Sequence, residues 1–217
     1  MFMNSVGQAK SIVRKQDPPA GAEDARLVER AREGEVEAVG ELIGRYQKKA
    51  YAIAFQMCSG DAEEARDLTQ EAFLKAFRSL NRYRGEAAFY TWLYRILINT
   101  CLDARRRRRR REKLFSFFRP FRRDSESDEV SIESQPDPDA VGDPLQALVN
   151  RQLESRVFEA LKTLSEKQET AFRLKVFHDM RIAEIAEVMG TAEGTVKSHI
   201  FRATQTLRGL LKDWKTP

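Results

Sequence analysis

The segment RIAEIAEVMGTAEGTVKSHIFRATQTLRGLL, Arg181–Leu211, decides the fold class. Ile182, Ile185, Ala186 and Met189 recur at three- and four-residue intervals, which marks a short amphipathic helix. Gly190 stops it in the position of a left-handed C-terminal cap. Val196, Ile200, Ala203 and Leu207 then repeat at four, three and four residues, so a second helix, from about Ala192 to Lys212, turns them inward. The same helix pushes Lys197, Ser198, Phe201, Arg202 and Gln205 outward. Two helices joined by a short glycine turn form a helix-turn-helix, whose second helix enters a major groove by its N-terminal part. The outward residues suit that task, since Arg pairs with guanine edges, Lys neutralises phosphate and an apolar ring meets a thymine methyl. Glu193, in the first turn, is favoured by the helix dipole. Simple packing also produces two-helix hairpins; the outward basic cluster is what favours a duplex partner.

Upstream, Ser165 and Gln168 have the form of a capping box opening a helix through Phe172 and Val176, and apolar periodicity extends back through Leu164, Leu161, Val157 and Leu153 to Leu145. Residues 112–144 hold four prolines and nine acidic residues, and periodicity is lost apart from the Leu114, Phe115, Phe117, Phe118 patch, which reads as a flexible linker. Its first part is basic and its second acidic, an arrangement able to fold back on the arginines before it. Before the linker, Phe89, Trp92, Leu93, Ile96, Leu97, Thr100, Cys101 and Ala104 form one helical stripe that enters an unbroken run of seven arginines, Arg105–Arg111. Residues 81–86 contain Gly85 and read as a loop. A helix precedes it, opened by Asp61 with Glu64 in capping-box spacing and carrying Ala65, Leu68, Ala72, Ala76 and Leu80 inward. A longer helix comes before that, with Val39, Leu42, Ile43, Tyr46, Ala50, Ile53, Ala54 and Met57 on its buried face and Glu41, Arg45, Lys48 and Lys49 on the other. Residues 1–22 are polar and aperiodic and read as a disordered tail. No segment alternates with a period of two. The expected fold is therefore all-α: two small helical domains, 23–111 and 145–213, joined by the 112–144 linker, the C-terminal one containing the helix-turn-helix.

With 217 residues and 41% hydrophobic content, the chain can bury two small cores. Net charge is +5, but the arginine run concentrates it and points to a polyanion; a solvated tether or a membrane-surface patch are the alternatives. Cys58 and Cys101 lack metal or CxxC spacing and read as buried apolar residues in a reducing compartment. The sequence offers no apolar run of the roughly 20 residues a membrane span needs and no signal-peptide core, so a cytoplasmic protein is expected. Enzyme chemistry lacks its parts: there is no glycine-rich phosphate loop or metal-ligand cluster, and the sequence around His178 and His199 offers no residues suited to catalysis with them. No cofactor, metal or small-molecule substrate is expected.

Tyr83, Phe89, Tyr90, Trp92 and Tyr94 are interleaved with Arg82, Arg84 and Arg95. Stacking of a base on an aromatic ring contributes about 1 to 3 kcal/mol without a partner strand, so exposed rings beside arginines suit single-stranded nucleic acid. Phe89 and Trp92 fall on the apolar stripe and are expected inside, leaving Tyr83 and Tyr90 as the exposed rings.

Three stretches in this order, DLTQEAFLKAF (Asp67–Phe77), RYRGEAAFYTWLYRI (Arg82–Ile96) and IAEIAEVMGTAEGTVKSHIFRA (Ile182–Ala203), resemble the sigma-70 family of bacterial RNA polymerase initiation factors, in its extracytoplasmic-function class. The resemblance spans Ala25 to Leu211. It implies that the Asp67–Leu80 helix docks on core RNA polymerase through Asp67, Gln70, Glu71 and Lys75. It implies a minus-10 reader, gripping a flipped base of the melted strand, in Arg82, Tyr83, Arg84, Tyr90, Trp92 and Arg95. The minus-35 reader would be Glu193, Thr195, Lys197, Ser198, Phe201 and Arg202. Promoter DNA and an anti-sigma factor are the other implied partners. The two promoter elements lie about 70 Å apart, and the linker at full stretch reaches roughly 110 Å. Three features depart from the family: Arg181 stands where a capping Ser is typical, Thr204 and Gln205 where a basic residue is frequent, and the arginine run is unusually long. A helix-turn-helix regulator binding duplex operators as a dimer is the main rival, but it leaves the aromatic block and the Asp67–Leu80 helix without a task. An RNA-binding adaptor leaves the groove helix without one.

Overall fold

Helices form where apolar residues recur at three- and four-residue spacing, and glycines and capping side chains end them. The computed structural model describes residues 22–117, 156–210 and 212, and every regular element among them is helical. The N-terminal tail and residues 118–155, including most of the expected linker and the start of the second domain, lie outside the described residues. Two units result. One comprises Asp24–Glu86 with the chain from Trp92 onward; the other is the C-terminal helices, with Ala87–Thr91 counted to it.

The first unit opens with α1 (Ala22–Arg32), which ends before Gly34, at φ 91°, and α2 (Val36–Met57), which packs along α3 (Ala62–Arg78). Leu27, Val28, Leu42, Tyr46, Ile53, Ala54, Leu68 and Ala72 are buried in its core. Within this core Asp24 is buried, accepts from Arg45 at 2.6 Å and accepts the hydroxyl proton of Tyr46. Burial, and then the Asp24 carboxylate, push the Tyr46 hydroxyl far above its ordinary value. Arg45, expected on the solvent face of α2, is thus turned inward, because a buried carboxylate requires a charged partner. Asp61 caps α3 by accepting from the Glu64 amide at 2.9 Å, while the Glu64 carboxylate accepts from Arg108 at 2.8 Å.

A 3₁₀ turn (Leu80–Arg82) leads into the expected loop and then α4 (Phe89–Phe117). The buried face of α4 is turned from the expected stripe. Tyr94 is buried and meets Tyr46 edge to face at 6.4 Å, whereas Trp92 and Ile96 are only half-buried. The helix also runs unbroken through the seven arginines into residues expected to be linker. Arg is a good helix former, and pairs such as Arg108 with Glu64 and Arg106 with Asp103 at 3.3 Å offset part of the repulsion. Cys58 and Cys101 are buried free thiols, and their mutual hydrogen bond together with burial pushes Cys58 far above the usual thiol range.

In the second unit the described part of α5 covers residues 156–162 and is followed by α6 (Glu166–Val176), α7 (Ile182–Met189) and α8 (Glu193–Leu210). The Ser165–Gln168 capping box forms with both bonds present. Ala160, Leu161, Leu164, Ala203 and Leu207 make one apolar cluster, so α8 is held against α5 and α6 from behind. Glu169 and Arg173, one turn apart on α6, form a buried ion pair at 2.9 Å, and the guanidinium lies 5.4 Å from the Phe158 ring centre.

Candidate nucleic-acid interface

Gly190 adopts φ 61° and ψ 44°, the left-handed conformation that only glycine enters at little cost, and this sets the turn between α7 and α8. Arg181 supplies no side-chain acceptor at the start of α7. Glu184 compensates by accepting from the Arg181 amide at 2.7 Å and from its guanidinium at 2.9 Å. Along α8, Val196, Ala203 and Leu207 are buried and Ile200 half-buried. All six residues expected to face a groove, Glu193, Thr195, Lys197, Ser198, Phe201 and Arg202, are exposed. Phe201 is 63% exposed, so its ring is free to meet an apolar group such as a thymine methyl. Glu193 lies 4.0 Å from Lys197, a solvent-screened pair. His199 is half-buried, and burial, followed by the charges of Lys167 and Arg202, holds its pKa below the ordinary 6.5.

In the other unit, a residue that sequence reasoning missed shapes the loop. Arg32, in the last turn of α1, donates to the Leu80 carbonyl at 3.3 Å and to the Tyr83 carbonyl, clamping the loop across the fold. No local pattern signals a bond to a residue 51 positions away. Tyr83 and Trp92 lie 5.3 Å apart at 46°, both half-buried, so the pair keeps exposed ring surface. Arg82, Arg84 and Arg95 are exposed, with Arg84 4.0 Å from Glu86, and Gly85 takes φ 75°. Tyr90, in the first turn of α4, is half-buried. Trp92 therefore joins Tyr83 as an accessible ring, while Tyr94 is withdrawn into the core.

On α3, Asp67, Gln70, Glu71 and Lys75 share one face; Asp67, Gln70 and Lys75 are exposed and Glu71 half-buried. Lys75 pairs with Glu71 at 2.6 Å and donates to Thr100 at 3.2 Å, so part of its charge is committed locally. Beside Gln70 opens a groove of about 470 Å³ between α2 and α3, whose apolar lining comes from Ile43, Tyr51 and Phe73. Ile43, expected in the core, is half-buried and lines this groove.

The family model for Sigma-70 region 2 matches residues 42–111, and that for Sigma-70, region 4 matches residues 155–207. The chain is 36% identical over 185 residues to the RNA polymerase sigma-H factor of Pseudomonas aeruginosa, covering 85% of this chain and 92% of that one. The chain belongs to the sigma-70 family. The ECF RNA polymerase sigma-E factor of Escherichia coli K12 is 35% identical over 188 residues, 85% of this chain and 92% of that one, and that of Haemophilus influenzae 34% over 192 residues, 87% and 95%. Similarity in fold extends to CnrH, solved in complex with the cytosolic domain of CnrY (TM-score 0.61, 24% identity, covering 89% of this chain and 100% of that one). It extends also to the sigma factor RpoE of Bartonella quintana, solved with the anti-sigma factor NepR (TM-score 0.56, 24% identity, 83% and 100%). The sigma factor is thus of the extracytoplasmic-function class and directs promoter-specific transcription with RNA polymerase. Among the described residues, no helix is long and apolar enough to cross a membrane.

Proposed function

We propose that this sigma factor reads its promoter with two chemically different surfaces. The exposed face of α8, Glu193 to Arg202, lies in the major groove of the minus-35 duplex. Arg82, Tyr83, Arg84, Tyr90, Trp92 and Arg95 hold the melted minus-10 strand, the rings by stacking and the arginines by phosphate contact. Asp67, Gln70, Glu71 and Lys75, beside the α2–α3 groove, dock on core RNA polymerase. The domains divide as 23–111 and 145–213. The factor acts in the cytoplasm, makes and breaks no covalent bond itself, and is held in check by an anti-sigma factor covering these surfaces; the likeness in fold to RpoE, solved with one, supports that partner.

The observation that carries this reading is the exposure of all six α8 residues on a helix whose opposite face is fixed in an apolar cluster. Run-off transcription with purified core polymerase tests it. Arg202→Ala should lower the promoter-specific transcript by about five- to hundredfold while core polymerase still co-elutes with the factor, since one bidentate base contact contributes about 1 to 3 kcal/mol. Loss of co-elution instead would remove the groove role.

A further inference from the structure

We propose that Cys58 and Cys101 are a modification site: a hydroperoxide oxidises the pair to an internal disulfide, which fastens the turn between α2 and α3 to α4. The bond forms without closing any surface proposed above to meet DNA or core polymerase. That last point rests on the reading of those surfaces; the chemistry of the pair does not.

The two thiols come from distant parts of the chain and meet inside the first unit. Cys58 caps the end of α2, and Cys101 lies on α4 among its buried residues Leu97, Ile98 and Ala104. A hydrogen bond joins their side chains, so the sulfurs face each other rather than merely sharing a core. The backbone supports the approach independently. Just past Cys58, Ser59 at φ 58° and Gly60 at φ 92° turn the chain into α3. Glu64, in the first turn of α3, then holds Arg108, two helical turns beyond Cys101, at 2.8 Å. The α2–α3 turn is thus kept against α4 at the level of the thiols. Any small side chain serves apolar packing; contact between two sulfurs from different helices is what sets this pair apart. Metal binding is the poorer fit, because among the described residues no group of three histidines, cysteines or carboxylates is placed to hold an ion.

Thiolate is the reactive form of cysteine. The hydrogen bond to Cys101, and then burial, hold the Cys58 thiol protonated well above the usual range, with the nearby Glu64 and Asp61 carboxylates adding to the effect. Cys101 therefore reacts first. Its thiolate attacks one oxygen of hydrogen peroxide: an S–O bond forms, the O–O bond breaks, and the departing hydroxide takes up the proton shed by Cys101 to make water. The Cys58 sulfur then attacks the sulfur of the Cys101 sulfenic acid. An S–S bond forms, the S–O bond breaks, and the Cys58 proton, already directed at that sulfur, leaves with the second hydroxide as water. Two thiols are oxidised and one peroxide is reduced to two waters. Burial of both thiols selects the oxidant by size, since hydrogen peroxide is little larger than water and enters when the end of α2 opens locally. A bulky disulfide such as oxidised glutathione does not. The loop that the new bond closes takes in all of α3, so it removes conformations from the unfolded chain and stabilises the first unit.

The test uses the full chain, reduced and then exposed to hydrogen peroxide for a series of times, each stopped with catalase. The chain is next unfolded in urea with N-ethylmaleimide and weighed intact. The expected product is a monomer short of two hydrogens that takes up no maleimide and yields one peptide cross-linked through Cys58 and Cys101; dithiothreitol restores both alkylations. Both thiols alkylated after peroxide, a disulfide between two chains, or oxygen added at one cysteine with the other still alkylated overturns the pair. Oxidised glutathione at equal concentration should form the disulfide far more slowly, and equal rates overturn the selection by size. The oxidised chain should melt at a higher temperature than the reduced one, while Cys58→Ala and Cys101→Ala should gain nothing from peroxide. An unchanged or lowered melting temperature of the oxidised parent overturns the fastening, and this reading needs neither variant to fold. Oxidised factor, freed of peroxide, should co-elute with core polymerase as the reduced factor does. Loss of co-elution on oxidation alone would make the disulfide an off switch and overturn its separation from the docking face; a reduced factor that fails to co-elute breaks the polymerase reading instead.

Discussion

The two surfaces proposed to read DNA are held in place by opposite means. On α8 the exposed residues are positioned locally: a left-handed glycine ends α7 and sets the turn before the helix, and an apolar cluster on the opposite face fixes its rotation. The loop after α3, proposed to read the minus-10 strand, has no such frame of its own. Arg32, from the end of α1, holds it by the carbonyls of Leu80 and Tyr83, and the rings it presents are sorted by whether they meet Tyr46, as Tyr94 does, or Tyr83, as Trp92 does. A duplex reader needs a rigid rod and gets it from short-range rules. A strand-capturing loop depends on long-range bonds, and is correspondingly easier to disable without unfolding anything.

Independence of the two frames is the first thing to break. Asp24→Ala removes the acceptor of Arg45 and Tyr46, and should cost about 3 to 5 kcal/mol in the urea transition of the N-terminal unit alone. Glu169→Ala, which strands the buried Arg173, should do the same to the C-terminal unit. If either substitution moved both transitions equally, the contrast between the frames would be lost. Next, Arg32→Ala should cost about 1 to 3 kcal/mol, because the carbonyls it holds lose a partner. It should also abolish permanganate-detected promoter opening by holoenzyme while protection of the minus-35 duplex persists. Loss of both footprints together would mean that the loop has no separate role.

Gly190→Ala should cost about 1 to 2 kcal/mol by forcing a side chain into the left-handed region, read as a lowered melting temperature of the C-terminal unit. The smallest effect belongs to His199. Its folded pKa lies below 6.5, so the folded state binds this proton less readily than the unfolded one. It therefore contributes stability that is fully present above the unfolded pKa and is lost as pH falls through the folded value. An NMR titration should place its midpoint below 6.5; a midpoint above that would contradict the closeness of Lys167 and Arg202.

The sequence by itself determined the all-helical class, the Ser165 capping box, the Gly190 turn and the exposed face of α8. Each depends on residues within about one helical turn of one another, where spacing translates directly into direction. It also carried the family resemblance through three motifs in order. Tertiary structure alone decided that Trp92 stays half-exposed while Tyr94 is buried, that Arg45 turns inward to Asp24, and that Arg32 clamps a loop from the far end of α1. It also decided that Arg108 belongs to the fold and its outward neighbours to the surface. A run of identical residues has no pattern to read. Only packing against Glu64 and the α4 core, contacts between residues far apart in the chain, assigns each arginine its side.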